Sequence, residues 1–586
     1  MICNGCGAHL IDGTGRCPFC REILGGLVKS NSDVTYKIES DNQVELIKRS
    51  SKKNVSSRKL RERRKRKKRQ RMIGYAILLA MAAALVGIII GIISFISYLF
   101  SDNTVYTTAY CAGNELGISY DGETVVLTKQ LFKNEGDSGS DVPDGIISRS
   151  ANGEVTAFVD RYDKMKKQGY LKVISGSDSE DIVEVSKNVY PGFKVSDDGE
   201  YVIFIKNGNE KGNMGELWVY EVGGEAVKIS DKVDSDKMLF SSEADRVIYI
   251  KNYDYKKRCG DAYYTDFSDL TEYKIDSAVY MIYGTAEDSD IVLYSKDYKK
   301  DKSTFNVYTF DGEENILLTE NCGSAPMFSE SGEYAFVCGD KSADRFALYR
   351  VDIEECDAEK IINNLSCVER ISEDGDKLLF SKKFDNDVAD YYIWTDGETE
   401  LKVADGVNYT KPNQVAVSED FENIAFISNY DEKRNGGALY SRVYEEDLVS
   451  KAEKISDDVY GCFIFENERV VYTKNYSNKS KTAGLYIYDG SEFEINSEVN
   501  PLFVSVGEEI VCLYDYSDKN GGNLYRIDGS INETRVTTDV FNYYLKKNGE
   551  IVVVKTGKEG GKFDLYETYD GELIPVRKDA EKILFF

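Results

Sequence analysis

Histidine is nearly missing from this chain, since His9 is the only one among 586 residues. Beyond position 9 the chain can build neither a Ser-His-Asp nor a Cys-His arrangement, and it offers no histidine ligand for a metal. The usual chemistry of peptidases and esterases is therefore not expected. Paired carboxylates, as in glycoside hydrolases, remain open, but the abundance of acidic residues makes any single pair uninformative. We expect no enzymatic activity.

Proline is also scarce, with 7 residues, whereas tyrosine and phenylalanine are frequent, with 42 and 26. Aromatic residues favour pleated, half-buried strands. The sequence also lacks stretches in which strands alternate with long helices, as an attached hydrolase domain would require. Together these features favour an all-β protein.

Charge is absent from residues 72–100, a run of 29 apolar or uncharged residues. A bilayer is crossed by roughly 20 apolar residues in a helix. We predict one transmembrane helix over 72–100 that acts as an uncleaved signal anchor, because the run is long and lies far from the N-terminus. Burial in a soluble core is disfavoured, since the run has no polar face.

Positive charge is concentrated just before this run, where residues 58–71 hold eleven Lys or Arg among fourteen positions. The basic flank of a membrane helix stays in the cytoplasm. We therefore predict a single-pass protein of the cell membrane with a cytoplasmic N-terminus and an extracellular region 101–586. That region has 94 acidic and 55 basic residues, while residues 1–71 have 7 and 19. The basic segment could also attract anionic lipid or nucleic acid.

Two Cys-x-x-Cys pairs lie at the N-terminus, with ten residues between them. Two such pairs can close a tetrahedron of thiolates around Zn²⁺, and a closed shell indicates a structural role. Residues 1–27 resemble the small zinc ribbons that begin many bacterial membrane proteins; the likeness covers about twenty residues. A redox pair is the alternative. The predicted zinc ligands are Cys3, Cys6, Cys17 and Cys20.

Residues 28–71 are polar and basic without sustained periodicity, and we predict a flexible linker. A ribbon on such a linker suits the capture of a cytoplasmic partner that the sequence does not identify. Within 72–100, Ala83, Gly87 and Gly91 share one helical face, which would allow two copies to approach closely as a homodimer.

The remaining chain repeats one phrase, in which a Ser-acidic turn precedes an apolar strand. Clear copies end at Phe204, Phe336, Phe380 and Phe426, and weaker copies end at Phe158, Tyr249, Tyr294, Tyr472, Cys512 and Val553. The spacing is 40–46 residues, and each copy is followed by an aromatic strand and often by an Asp-Gly hairpin turn. About four strands in such a unit are typical of a β-propeller blade.

The phrase Ser196-Asp-Asp-Gly-Glu-Tyr-Val-Ile-Phe204 resembles the repeat of TolB-like propellers, with an acidic residue where that family has proline. The resemblance implies an all-β propeller of about ten four-stranded units over 101–586, arranged as one large ring or two rings. Residues 105–127 could complete a terminal blade. Acidic turns also raise the question of calcium, but none matches a full calcium-binding loop.

Eight cysteines follow the apolar run. Disulfides such as Cys322–Cys338 or Cys356–Cys367 are open alternatives, but Cys338 and Cys512 lie in predicted core strands, which favours free thiols. From this organisation we expect a binding or scaffold module whose partner is an extracellular protein or a cell-wall glycan. The alternatives are a tethered carbohydrate-active enzyme and a nucleic-acid-binding ribbon at the membrane.

Overall fold

A computed structural model describes residues 36–38, 44–46, 107–134, 136–176, 181–208, 214–241, 244–285, 291–342, 345–385, 387–398, 400–445, 448–466, 468–555 and 561–585. The chain divides into two compact units, Met1–Asp102 and Asn103–Phe586. In the first, β1 Tyr36–Ile38 pairs antiparallel with β2 Val44–Leu46. The four predicted zinc ligands, the predicted span 72–100 and the proposed dimer face at Ala83, Gly87 and Gly91 lie outside the described residues.

The predicted location needs a correction. In the portions of the chain that the structure describes, no helix combines the length and the apolar character needed to cross a bilayer. This finding contradicts the predicted single-pass membrane location, and we do not retain it.

Residues 103–586 are built almost entirely from β-strands, with one 3-10 turn at Gly139–Asp141. The strands are β3 Thr108–Ala112, β4 Glu115–Tyr120, β5 Glu123–Thr128, β6 Ile147–Arg149, β7 Val155–Asp163, β8 Gln168–Ser175, β9 Val183–Val189, β10 Lys194–Val195, β11 Tyr201–Lys206, β12 Met214–Glu221, β13 Ala226–Phe240, β14 Arg246–Asp254, β15 Cys259–Asp266, β16 Glu272–Thr285, β17 Val292–Lys299, β18 Thr304–Phe310, β19 Asn315–Cys322, β20 Met327–Phe328, β21 Tyr334–Ser342, β22 Arg345–Asp352, β23 Asp357–Leu365, β24 Cys367–Ile371, β25 Lys377–Asp385, β26 Val388–Thr395, β27 Leu401–Asn408, β28 Val415–Val417, β29 Asn423–Asp431, β30 Gly436–Glu445, β31 Leu448–Val449, β32 Glu453–Phe465, β33 Arg469–Ser477, β34 Thr482–Tyr488, β35 Glu492–Val506, β36 Ile510–Ser517, β37 Gly521–Ile527, β38 Glu533–Leu545, β39 Ile551–Lys555, β40 Phe563–Tyr569, β41 Glu572–Ala580 and β42 Lys582–Phe585.

These strands form antiparallel four-stranded units in series, as the repeats predicted. Unit one is β42, β3, β4 and β5, so it combines both ends of the described region. Units two and three are β6–β9 and β10–β13, and the pattern continues to unit eleven, which ends with β41. Each unit has a first to a fourth strand in this order. The all-β class and the propeller-type repeat are therefore confirmed.

Five long strands each serve two consecutive units. β13, for example, is the fourth strand of unit three, where Ala226 pairs with Tyr220, and the first strand of unit four, where Leu239 pairs with Ile248. The register breaks between Val233 and Met238, where the strand turns from one sheet to the next. The other four strands of this kind are β16, β32, β35 and β38.

The recurring serine phrase forms the turn between first and second strands. In unit three, Ser196 Oγ donates to Asp198 Oδ1 at 2.6 Å and accepts from the Tyr201 amide at 2.9 Å. The turn places Gly199 at φ +80°, a conformation that glycine adopts without strain. Side chains thus satisfy the backbone of the turn, which explains why the phrase recurs.

Apolar cores lie between neighbouring units. The buried aromatic at the end of the phrase, such as Phe204, packs toward the preceding unit, and the residue before it, Ile203, packs toward the following unit. Phe336 is an exception to the predicted alignment. It lies in the core shared with the following unit, and Val337 occupies the position equivalent to Phe204, since Val337 pairs with Tyr349 as Phe204 pairs with Trp218. In unit six the aromatic residue Phe336 follows the serine of the turn by seven positions, one fewer than Phe204 in unit three.

The last unit of the series also shares an apolar core with the first. Val552 and Leu565 of unit eleven share a core with Tyr110 of unit one. In the described part of the chain, no sheet closes on itself by strand pairing. The link between units eleven and one is made by core packing and by β42, which pairs with β3 from Thr108↔Phe585 to Cys111↔Lys582.

Candidate functional site

The first strands of several neighbouring units contact one another. Ser148 Oγ of β6 accepts from the Val195 amide of β10 at 3.1 Å. Further along, Arg370 donates to the Val417 carbonyl oxygen at 2.7 Å, and Gln414 Nε2 donates to the Tyr460 carbonyl oxygen at 2.7 Å. We call these first strands, β6, β10, β20, β24, β28, β42 and the second halves of the five long strands, the first-strand wall.

Several large side chains of this wall are exposed. Leu502 is 64% exposed, Tyr544 41% and Phe328 39%. Exposed apolar groups on a rigid scaffold are a common basis for recognition. Lys194 and Glu369 are exposed on the same wall, so the surface mixes apolar with charged groups.

Two wall lysines and one wall carboxyl have shifted pKa values. Desolvation lowers the pKa of Lys194, and it also lowers the pKa of Lys237, whose Nζ donates to Met281 Sδ at 3.3 Å. The pKa of Glu369 is raised, again by desolvation, while hydrogen bonds from Ser381 and Cys367 act in the opposite direction. Desolvated ionisable groups occur often at functional surfaces, and they occur in structural ion pairs as well.

Other ionisable clusters are structural. Tyr249 donates to Glu272 at 2.7 Å, and Lys251 binds the same carboxylate at 2.9 Å. Burial alone would raise the pKa of Glu272, but hydrogen bonds from Lys251, Ser230 and Tyr249 outweigh it and lower the pKa. Unit nine repeats the arrangement with Tyr472, Glu492 and Lys474, whereas Tyr294 and Lys296 of unit five bind Asp276 in the part of β16 that pairs within unit four.

Lysines of the second strand also cover third-strand aromatic rings in six of the described units, which is a further structural repeat. Lys474 Nζ lies 4.2 Å from the Tyr486 ring centroid, and Lys206 Nζ lies 4.4 Å from that of Trp218. The other pairs are Lys251–Tyr263, Lys296–Tyr308, Lys382–Tyr392 and Lys555–Tyr566. Such contacts stabilise partly buried lysines, so these lysine side chains have a structural role within their units.

All eight cysteines of the described region are free, as the core positions suggested. Cys322 packs between units five and six, whereas Cys338 packs between units six and seven, so the two thiols point into different cores. Burial raises the pKa of Cys322 and of Cys512 to about 12. These thiols stay protonated at neutral pH and behave as small apolar groups.

The site residues predicted from sequence, Cys3, Cys6, Cys17 and Cys20, are not among the described residues, so the zinc site stays a prediction. In the ranges that the structure describes, no group of three His, Cys, Asp or Glu side chains is arranged to hold a metal ion. The sequence reasoning missed the first-strand wall. Its exposed members, such as Leu502 and Phe328, have no shared motif, so only their place before each second strand could have marked them.

Comparisons with known proteins found similar solved structures but no related sequences. No protein-family model matches the chain, and the comparison with curated proteins gave no match. Among solved structures, the β-propeller domain of the trilobed protease from Pyrococcus furiosus is similar over 58% of this chain and 95% of that domain, at 15% identity and a TM-score of 0.26. The tricorn protease matches 81% of this chain and 46% of that chain, at 12% identity and 0.27. A eukaryotic initiation factor matches 67% and 97%, at 12% identity and 0.35.

The prediction that the chain is not an enzyme is corrected by these findings. Most of the similar structures are peptidases, including an acylaminoacyl peptidase from Pyrococcus horikoshii at 15% identity. They contradict that prediction, and we withdraw it. At such low identity the likeness concerns the fold alone.

Proposed function

We propose that residues 103–586 form a single ring of eleven units that acts as a binding module. The observation that carries this proposal is the first-strand wall, where Leu502, Tyr544 and Phe328 are exposed and where the desolvated Lys194 and Glu369 also lie. The shared core of units eleven and one and the β42–β3 pairing support the proposed ring. A wall of rigid strands loses little conformational freedom when a partner binds. The proposed partner is a protein or a cell-wall glycan.

Retention of partners on the immobilised full chain tests this role. We expect Phe328→Asp and Leu502→Asp together to reduce the retained protein or glycan at least tenfold, because they place charge on an apolar contact surface. Met165→Asp is the matched control, since Met165 is 89% exposed and lies in a turn between the second and third strands of unit two. Equal retention by all three proteins would refute the proposal.

We also propose that the N-terminal thiolates hold a structural Zn²⁺. Four cysteine sulfurs in two Cys-x-x-Cys pairs are a donor set that fits zinc and leaves no open coordination position. Elemental analysis of the purified full chain should show zinc, and Cys17→Ser with Cys20→Ser should remove it. Cys367→Ser, which changes an exposed thiol elsewhere, should keep the metal. Zinc content that survives the double substitution would exclude this site.

A further inference from the structure

A cavity of about 740 Å³ opens on units three and four, away from the wall substitutions described above. Pockets that hold small ligands have volumes of about 300–1,000 Å³. Three parts of the chain line it: Asn207 with the start of β12, Asp231 and Lys232 of β13, and the end of β14 with the turn that follows. We propose that this cavity binds a neutral oligosaccharide. The inference rests on the proposed function as a binding module and names one ligand class and its site.

An oriented aromatic ring provides the apolar surface. The Tyr255 side chain is 50% exposed and packs edge-to-face on the buried Tyr253, with ring centroids 5.2 Å apart at 77°. Its hydroxyl donates to Asp234 Oδ2 at 2.5 Å, and Asp234 is fully buried. Asp234 also accepts from the Asp236 amide at 3.0 Å, so one buried carboxylate holds both the bend in β13 and the exposed ring in place. The exposed face of Tyr255 is thereby set for the C–H face of a sugar.

Polar groups around the ring match sugar hydroxyls. Glu216 accepts from Asn207 Nδ2 at 2.9 Å and from Trp218 Nε1 at 3.3 Å. The hydrogen bond from Asn207 contributes most to lowering the pKa of Glu216, so its carboxylate stays an ionised acceptor. Lys256 and Asn252 also line the cavity, and their side chains carry hydrogen-bond donors. A sugar hydroxyl both donates and accepts, so it can use a rim that contains both kinds of group.

Charge distinguishes this ligand from others. The region 101–586 has 94 acidic residues against 55 basic ones, which repels anionic glycans and nucleic acid at long range. A cationic peptide would need carboxylates in the cavity that are not already bound to lysines or amides of the protein. Here Asp231 and Glu216 both bind Lys228 Nζ, at 2.7 and 3.2 Å. Asp254 accepts the amides of two residues in the following turn, Lys256 and Lys257. An uncharged ligand rich in hydroxyl groups therefore fits this rim best.

Calorimetric titration of the full chain tests the site with four probes: cellotetraose, chitotetraose, trigalacturonate and octalysine. We expect at least one of the two neutral tetrasaccharides to bind and trigalacturonate not to bind. Tyr255→Ala should weaken that binding at least tenfold, while Tyr255→Phe, which keeps the ring, should stay within about threefold of the unchanged chain. Lys256→Ala should weaken it about threefold, and it keeps the test valid if Tyr255→Ala does not fold.

Tyr273→Ala is the matched control, because Tyr273 belongs to the same unit, is 41% exposed and does not line the cavity. The inference is overturned if neither neutral tetrasaccharide binds, if Tyr255→Ala and Lys256→Ala bind like the control, or if octalysine competes for the cavity. These results would leave the wall untouched, since the proposed function is tested separately at Phe328 and Leu502.

Discussion

Two contacts between neighbouring units are built differently. Units four and five share β16, which pairs with β15 up to Val279 and with β17 from Val279 onward. Units eleven and one share no such strand, and their contact depends on β42, which reaches β3 from the opposite end of the chain. Where one strand serves both units, chain continuity sets the register. At the contact of units eleven and one, the side chains must set it.

Both contacts combine an apolar core with directional polar contacts. Between units four and five, Ile248, Ile282 and Val292 are buried, and Asp276 of β16 accepts from the Tyr294 hydroxyl at 2.7 Å and from Lys296 Nζ at 2.8 Å. Between units eleven and one, directional polar contacts accompany the apolar core: Ser119 Oγ to Glu567 at 2.6 Å, Arg577 to Glu115 at 3.2 Å and the Gly139 amide to Glu581 at 2.6 Å. Joining distant segments of a chain costs loop-closure entropy, and specific contacts must offset it there. The comparison makes units eleven and one the point where the proposed ring opens first.

Removal of residues 581–586 should have the largest effect. It deletes β42 and the Glu581 contacts. Because backbone hydrogen bonds of about 1 kcal/mol each are lost together with part of the core, we expect the free energy of unfolding to fall by about 4 kcal/mol. Hydrogen exchange should show loss of protection in β3 and β4, while β16 and β17 keep theirs. Equal loss at both contacts would show that the two do not differ.

Glu567→Gln should have the next largest effect and lower the free energy of unfolding by about 2–3 kcal/mol. Glu567 is buried, accepts from Ser119 and pairs with the buried Lys546 at 3.1 Å. Loss of one charge in such a pair leaves the other insufficiently compensated, although Lys546 keeps Glu550 at 3.2 Å. Denaturant unfolding measures the change. Ser119→Ala serves as the milder control at about 1 kcal/mol.

Tyr294→Phe is the corresponding change at the contact of units four and five, and we expect it to lower the free energy of unfolding by about 1 kcal/mol. It removes the hydroxyl that donates to Asp276 at 2.7 Å, but Lys296 still pairs with that carboxylate at 2.8 Å. Unit seven already has phenylalanine here, since Phe380 is followed by the Lys382–Glu400 pair. An effect larger than that of Glu567→Gln would invert the proposed difference between the contacts.

Acid should weaken the contact of units eleven and one through Glu581. Burial would raise the pKa of Glu581, but hydrogen bonds from Ser138, Lys562 and the Gly139 amide outweigh it and lower the pKa. A lowered folded-state pKa adds stability above the unfolded value of about 4.3 and loses it as pH falls toward the folded value. Glu581→Gln should therefore reduce the loss of stability between pH 5 and 3, as measured by thermal unfolding. An unchanged pH profile would show that Glu581 does not contribute.

Thiol reactivity gives the smallest effect, since it changes no contact. Burial raises the pKa of both Cys111 and Cys322 to about 12, so neither should be alkylated in the native protein at neutral pH. Cys111 lies in β3 beside β42, and Cys322 lies in an inner core. In dilute denaturant Cys111 should react first, as peptide mapping by mass spectrometry would show. Earlier reaction of Cys322 would place the weakest contact elsewhere.

Local sequence signals predicted the repeat well but not its boundaries. Ser196 and its equivalents satisfy the turn backbone themselves, so the phrase alone identified the units. The repeat predicts a terminal blade that includes residues 105–127, and β3–β5 lie there, but no motif indicates that β42 supplies the first strand. Pairing between distant segments has no local signature. Similarly, the exposure of Leu502 depends on how closely neighbouring first strands approach, which no motif encodes.

Electron microscopy of the purified full chain would test the single closed ring most directly. Averaged projections of the propeller region should show one ring with eleven radial units and continuous density between the first and the last. Two smaller rings, a different number of units or an open arc with a gap at one position would contradict the proposed closure between units eleven and one.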